Sequence, residues 1–249
     1  IKEFIDSSIR TPEKAEQLTK LKLIGAYPDL NAQGENRKVD FDWLHEKASA
    51  LIAQNLRLEA KQRGVSERKP KYVVVFSTRE SSGKQLSTHI TANELVSLNF
   101  RVMVLGPKRL AEGLTPYYDY ITYKNDKRFV NAENISEIIP MGYDPSLYDF
   151  FFLIIDAVLI NSYPINLLEQ FQLPICVVGA YSGWNRADQS ALADFEQTLG
   201  KTPRLLLNGL EPDFMQNVLG DIEKRRSWLR KNIKSLLSFQ FRKLKARGN

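Results

Sequence analysis

The sequence predicts an α/β chain built around a mainly parallel sheet. Three observations predict it. Short runs rich in Val, Ile, Phe and Leu recur at 72–76, 101–105, 150–155, 175–178 and 204–207. Stretches of helical period lie between them, clearest at 84–98 and 187–199. The apolar runs are continuous and do not alternate with polar residues, as in strands covered on both faces, which places helix layers on either side of the sheet.

The bulk composition bounds the remaining choices. A chain of 249 residues with 43% hydrophobic content is long enough to bury one large α/β core. Cys176 is the single cysteine and sits in the apolar run 174–178, which reads as a buried thiol in a reducing compartment. With His45 and His89 as the only histidines, no zinc cluster is expected. The net charge is +6, but residues 221–249 hold ten Lys/Arg and two Asp/Glu, or +8, which leaves −2 for residues 1–220. Charge confined to one end argues against a nucleic-acid-binding protein. No run reaches the ~18–20 apolar residues of a membrane span, and no signal peptide is evident. The chain opens on Ile1, which fits a piece of a longer protein with membrane segments elsewhere.

In order, Thr11-Pro12-Glu13 reads as a helix start, with Pro at the first position and an acid in the first turn. Residues 21–27 form a short strand-like piece stopped by Pro28, and 31–38 a polar loop. Asp40 caps a helix reaching about Lys61, with Phe41, Leu44, Ala48, Leu51, Ile52, Leu56 and Leu58 on its apolar stripe. A charged loop, 61–71, leads into the first β-branched strand. Residues 84–98 are helical, 101–105 a strand closed by Gly106-Pro107, and the tyrosine-rich stretch 110–131 has no clear period. A short helix at 133–139, a strand at 150–155, a helix at 165–171, a strand at 175–178, a helix at 187–199 and a strand at 204–207 before Asn208-Gly209 complete the rhythm. Residues 223–244 carry Trp228, Leu229, Ile233, Leu236, Leu237, Phe241 and Leu244 at helical spacing among basic residues. Such a helix packs on the body, lies on an anionic membrane surface or, least simply, contacts nucleic acid. The chain divides into 1–39, an N-terminal segment, 40–220, the α/β domain, and 221–249, the basic amphipathic tail.

Chemistry concentrates at 71–99. A strand, a polar turn, Gly83-Lys84 and an amphipathic segment follow one another, the layout in which a helix N-terminus and backbone N–H groups cradle phosphate. The P-loop pattern G-x-x-x-x-G-K-[ST] is incomplete. Thr78 and Gln85 stand where Gly and Ser/Thr belong, and only Gly83 and Lys84 fit. The fold class is therefore a P-loop, Rossmann-like, three-layer α/β/α arrangement. Lys84 either contacts phosphate or, more simply, faces solvent at a helix start. Asp156, at a strand's C-terminal end, either holds metal through water or caps the next turn. Asn208 either reads a base or serves the turn beside Gly209.

From about Thr11 to Asp213 the chain resembles the cytoplasmic domain of bacterial exopolysaccharide chain-length regulators, many of which are tyrosine autokinases. Residues 11–30 (TPEKAEQLTKLKLIGAYPDL) resemble the segment after the second membrane span of such proteins, 77–85 their Walker A loop, Tyr148-Asp149 through Asp156 their Walker B strand, and 205–210 (LLLNGL) the strand end whose Asn approaches adenine.

The departures are informative. Gln85 replaces the hydroxyl that ligates Mg²⁺, and 105–109 reads Leu-Gly-Pro-Lys-Arg where the family has an Asp-x-Asp motif. The tail after Tyr181 holds no tyrosine, so the family's phosphorylated cluster is missing, and Tyr117, Tyr118, Tyr120 and Tyr123 read as packing or loop residues. Lys47, Ala50 and Ala53 stand where the ring-assembly Glu-x-x-Arg-x-x-Arg pattern would fall. The resemblance thus implies a pseudokinase-like, non-catalytic domain at the cytoplasmic face of the inner membrane, regulating or scaffolding exopolysaccharide production and export. It implies no catalytic residue, no resident cofactor, and Gly83, Lys84, Gln85, Asp156 and Asn208 as the nucleotide-facing set. ATP or ADP binding stays open, with Mg²⁺ doubtful. The implied partners are the polysaccharide export and polymerisation machinery, the inner membrane through segments outside this chain or the basic tail, and copies of the chain itself. The alternative is an active ATP-dependent tyrosine autokinase or ATPase with a divergent loop.

Overall fold

The computed structural model describes residues 8–30, 40–66 and 70–220. Thr11 caps α1 (Pro12–Thr19) by accepting a hydrogen bond from Lys14 N, with Pro12 at the first helical position. β1 (Leu23–Pro28) follows. Asp40 caps α2 (Phe41–Gln62) through Trp43 N, and the helix buries Leu44, Ala48, Ile52, Ala53 and Leu56. Leu58, expected on that stripe, is 47% exposed. β2 (Lys71–Phe76), α3 (Lys84–Ser97) and β3 (Val102–Gly106) come next. The stretch without a clear period contains β4 (Asp119–Thr122) and α4 (Lys127–Val130). Then follow α5 (Ile135–Ile138), β5 (Phe150–Ile154), α6 (Ile165–Leu168), β6 (Leu173–Gly179), α7 (Arg186–Leu199), β7 (Arg204–Leu210) and α8 (Pro212–Leu219).

The strands form one seven-stranded sheet in the order β1-β7-β6-β2-β5-β3-β4, parallel at every pairing. All five residues of β3 and of β5 are buried, which explains their unbroken apolar runs. Successive strands step one way along the sheet from β1 through β2 to β3 and the other way from β5 through β6 to β7. Parallel crossovers are right-handed, so the reversal sends α2 and α3 to one face and α6 and α7 to the other. The contacts of α2 with α3 and of α6 with α7 agree. The neighbours β2 and β5 thus send their chains to opposite faces, and a crevice opens beyond their C-terminal ends.

Three expectations are corrected. Residues 12–28 do not stand apart as a separate N-terminal segment, because β1 is an edge strand bonded to β7 and α1 packs on both. Asn208-Gly209 does not end its strand. β7 continues to Leu210, with Asn208 paired to Gly179 and Tyr27. The helix expected at 165–171 is a single turn. The polar loop at 31–38 and the basic tail at 221–249 lie outside the described residues. No helix among the described residues is long and apolar enough to cross a membrane.

Candidate functional site

The turn after β2 is fastened from two sides. On one side Val158 N donates to Ser77 O at 2.9 Å and Leu159 N to Thr78 O at 3.2 Å. On the other side stands Asp188, in the first turn of α7 and 0% exposed. Its carboxylate accepts from Thr78 Oγ1 at 2.8 Å, Arg79 Nε at 2.8 Å, Arg79 Nη2 at 2.6 Å and Asn185 N at 3.0 Å. Burial alone would raise the Asp188 pKa. Arg79, Asn185 and Thr78 outweigh it and hold the carboxyl below its ordinary value. Asp188 is absent from the expected site set. Its readable signal is the Asn185-x-x-Asp188 capping box, which reports a helix start and not a partner 109 residues away.

Gly83 begins α3 with φ +85°, in the left-handed region that favours glycine. A Cβ there would lie 2.0 Å from Asn208 Nδ2, so the Asn208 amide packs directly against the loop backbone. Its Oδ1 accepts from Ser87 Oγ at 3.3 Å. Asn208 thus braces the start of α3 from within the sheet.

Lys84 does not extend into solvent. It is half-buried and its Nζ donates to Ser77 Oγ at 2.6 Å. Burial holds its pKa below the usual lysine value. The charges of Asp156 and Glu80 work the other way, and Lys108 adds to the lowering.

Gln85 has a different task from the hydroxyl it replaces. Its Nε2 donates to Lys108 O at 3.1 Å, Arg109 O at 2.8 Å and Tyr120 Oη at 2.9 Å. The Tyr120 hydroxyl in turn donates to Lys108 O at 2.6 Å. A Cβ on Gly106 would meet Tyr120 Oη at 2.1 Å, so the phenol from β4 occupies the side-chain space at that strand end. Gln85, Gly106 and Tyr120 are therefore one unit that fixes the 106–109 turn. Asp156 accepts from Asn125 Nδ2 at 3.0 Å.

These pieces surround a cleft of about 500 Å³ beyond β2, β3 and β5. Gly83, Lys84, Gln85 and Asp156 line it together, and Asn208 does not. Sequence reasoning missed Lys108, Glu80 and Glu112 as further charged lining residues. Of the four tyrosines at 117–123, Tyr118 and Tyr123 are buried, Tyr120 is half-buried, and Tyr117 is 74% exposed.

No family model matches the chain, and no curated protein does. Solved structures do. The kinase domain of the Escherichia coli tyrosine kinase ETK aligns over 81% of this chain and 94% of its own, at 13% identity and a TM-score of 0.54. The BceF tyrosine kinase domain covers 82% of this chain and 99% of its own, at 14% identity and 0.55. The chimerical protein CapA2B2 covers 81% and 100%, at 13% identity and 0.53. The chain has the fold of the bacterial tyrosine kinase domains.

In a P-loop the hydroxyl after Gly-Lys ligates magnesium beside the helix start, and the amide that stands in its place here is poorly suited to that ion. The Gln85 amide presents its nitrogen, a donor, to two carbonyls and a phenol. The 106–109 turn carries no carboxylate.

Proposed function

We propose that this chain is a non-catalytic, pseudokinase-like domain that regulates or scaffolds exopolysaccharide production and export from the cytoplasmic face of the bacterial inner membrane. One observation carries the loss of catalysis. The side chain that replaces the magnesium-ligating hydroxyl, Gln85, spends its amide nitrogen on Lys108 O, Arg109 O and Tyr120 Oη. Phosphoryl transfer relies on positioning and on metal neutralisation of developing charge, and this site offers a poor seat for the metal. The exopolysaccharide role rests on the sequence pattern at 11–30 and 205–210 together with the shared fold. Partners in this reading are the export and polymerisation machinery, with membrane attachment through segments beyond these residues or through the basic tail.

The competing reading, an active ATP-dependent tyrosine kinase or ATPase, draws on Lys84 and Asp156 lining one cleft. Incubation of the purified chain with Mg·ATP separates the two. The non-catalytic reading expects no phosphotyrosine by mass spectrometry and no phosphate release above the background of a heat-denatured sample. Phosphotyrosine on any of the ten tyrosines would overturn it.

A further inference from the structure

The residues that spoil the metal site are not independent losses. Gln85 and Tyr120 both bond Lys108 O, and Gly106 gives the phenol its space. Their joint effect is to hold the backbone of Lys108 fixed at the cleft wall, across from the helix start that carries Lys84. We propose that Lys108 replaces the divalent ion as the second positive charge of the cleft, so that the site takes a phosphate-bearing ligand without metal.

Three further observations point to an anion with an apolar body. The N-cap of α3, Gly83, has no side chain to offer, so among the described residues the N–H groups of its first turn have no capping acceptor. Ser82, 8% exposed and lining the same cleft, has a buried Oγ with no hydrogen-bond partner among the described residues. Buried hydroxyls are nearly always paired, and with its Oγ closed off from solvent this one meets a ligand oxygen only after a side-chain rotation. Leu86, Pro107, Ala111, Leu114 and Ile154 give the rest of the wall an apolar surface.

The charge balance sets the ligand class. Lys84 and Lys108 face Glu80, Glu112 and Asp156, so the lining sums to −1. Glu80 and Glu112 are exposed at the rim, and Asp156 is engaged by Asn125. With no metal to offset them, these carboxylates disfavour a triphosphate, and a mono- or diphosphate ester suits the two ammonium groups better. An ammonium is a point charge that contacts phosphate without the octahedral demands of magnesium.

The inference rests on the non-catalytic reading, and its test fails separately from that reading. Titration calorimetry of the full 249-residue chain uses ADP as probe, once in EDTA and once in excess MgCl₂. Binding in EDTA is expected to be at least as tight as in magnesium and to weaken as salt is raised. Lys108→Met is expected to weaken ADP by about tenfold or more, the scale of one charged hydrogen bond, and Lys108→Arg to restore it in large part. Lys108 is exposed, so neither variant threatens the fold. Gln85→Ala, which frees the turn, is expected to weaken ADP while leaving Lys108 in place. No heat at millimolar ADP, binding that requires magnesium, or a Lys108→Met variant that binds like the parent overturns the inference. Absence of ADP binding without phosphotyrosine formation would defeat it alone and leave the non-catalytic domain standing.

Discussion

Arg79 lays Nε and Nη2 across the two carboxylate oxygens of Asp188, at 2.8 and 2.6 Å, and so joins the turn after β2 to the first turn of α7. The carboxylate is fully buried and the Arg79 side chain is 43% exposed. Loss of one partner of a fully buried pair costs ~3–5 kcal/mol. Solvent screening at Arg79 lowers that figure, while Thr78 and Asn185 N also lose their acceptor. Asp188→Ala is expected to cost on the order of 3 kcal/mol in urea unfolding. An unchanged midpoint would show that the clamp contributes nothing. The same carboxylate gives a pH dependence. Its folded pKa is depressed, so the unfolded chain takes up the proton first as acid is added. Its stabilisation is complete above the ordinary aspartate value of ~3.9 and fades as pH falls through the folded value. In Asp188→Asn that part of the acid sensitivity should vanish.

The contact of Gly106 with Tyr120 predicts a coupled pair. Gly106→Ala would drive a methyl into Tyr120 Oη at 2.1 Å, whereas removing that oxygen leaves Cζ, at 3.0 Å, as the nearest atom. Gly106→Ala should destabilise, and Gly106→Ala with Tyr120→Phe should cost less than the two single changes added together. A coupling of ~1 kcal/mol is the expected size for residues in contact. Strict additivity in thermal or urea unfolding would place the phenol elsewhere in solution.

Gln85→Thr puts the hydroxyl of the P-loop pattern back into the sequence. It also removes the donor that serves Lys108 O, Arg109 O and Tyr120 Oη. The expected result is a less stable chain, by about 1 kcal/mol, with no gain of magnesium-dependent ATP hydrolysis. Phosphate release that appears with Mg²⁺ in this variant would mean that a single residue separates the chain from catalysis.

The sheet was legible because its signal is local. Uninterrupted runs such as 150–155 announce strands covered on both sides, and Asp40 and Thr11 announce helix starts through caps that form as expected. β4 escaped notice because only Ile121 of its four residues is buried, which leaves no period to read. At the cleft, Gly83, Lys84 and Gln85 stand out in the sequence through the strand-turn-helix spacing at 71–99, and Asp156 through its place at the end of the apolar run 150–155. Asp188, Tyr120 and Lys108 could not, since they meet the loop from distant parts of the chain and nothing local marks the encounter. Gln85 was noticed for the hydroxyl it lacks, while the job it performs depends on a phenol 35 residues away.

Cys176 provides a probe of the core between β2 and β7. It is fully buried, and burial pushes its thiol up to about 12. Almost none is thiolate at neutral pH, so an aromatic disulfide reagent should label the native chain only as fast as it opens. Labelling within seconds in buffer, without denaturant, would contradict the packing of β6.

The edge strand β1, residues 23–28, hydrogen-bonds to β7, residues 204–210, the last strand of the sheet to be synthesised. On a ribosome the first strand would emerge with its neighbour still untranslated, its amides answered by water for the whole time needed to make the intervening chain. Closure of the domain therefore waits until β7 has emerged. A ribosome stalled before residue 204 would leave an apolar edge open to any nearby nascent chain, a hazard that a chaperone holding 23–28 would relieve.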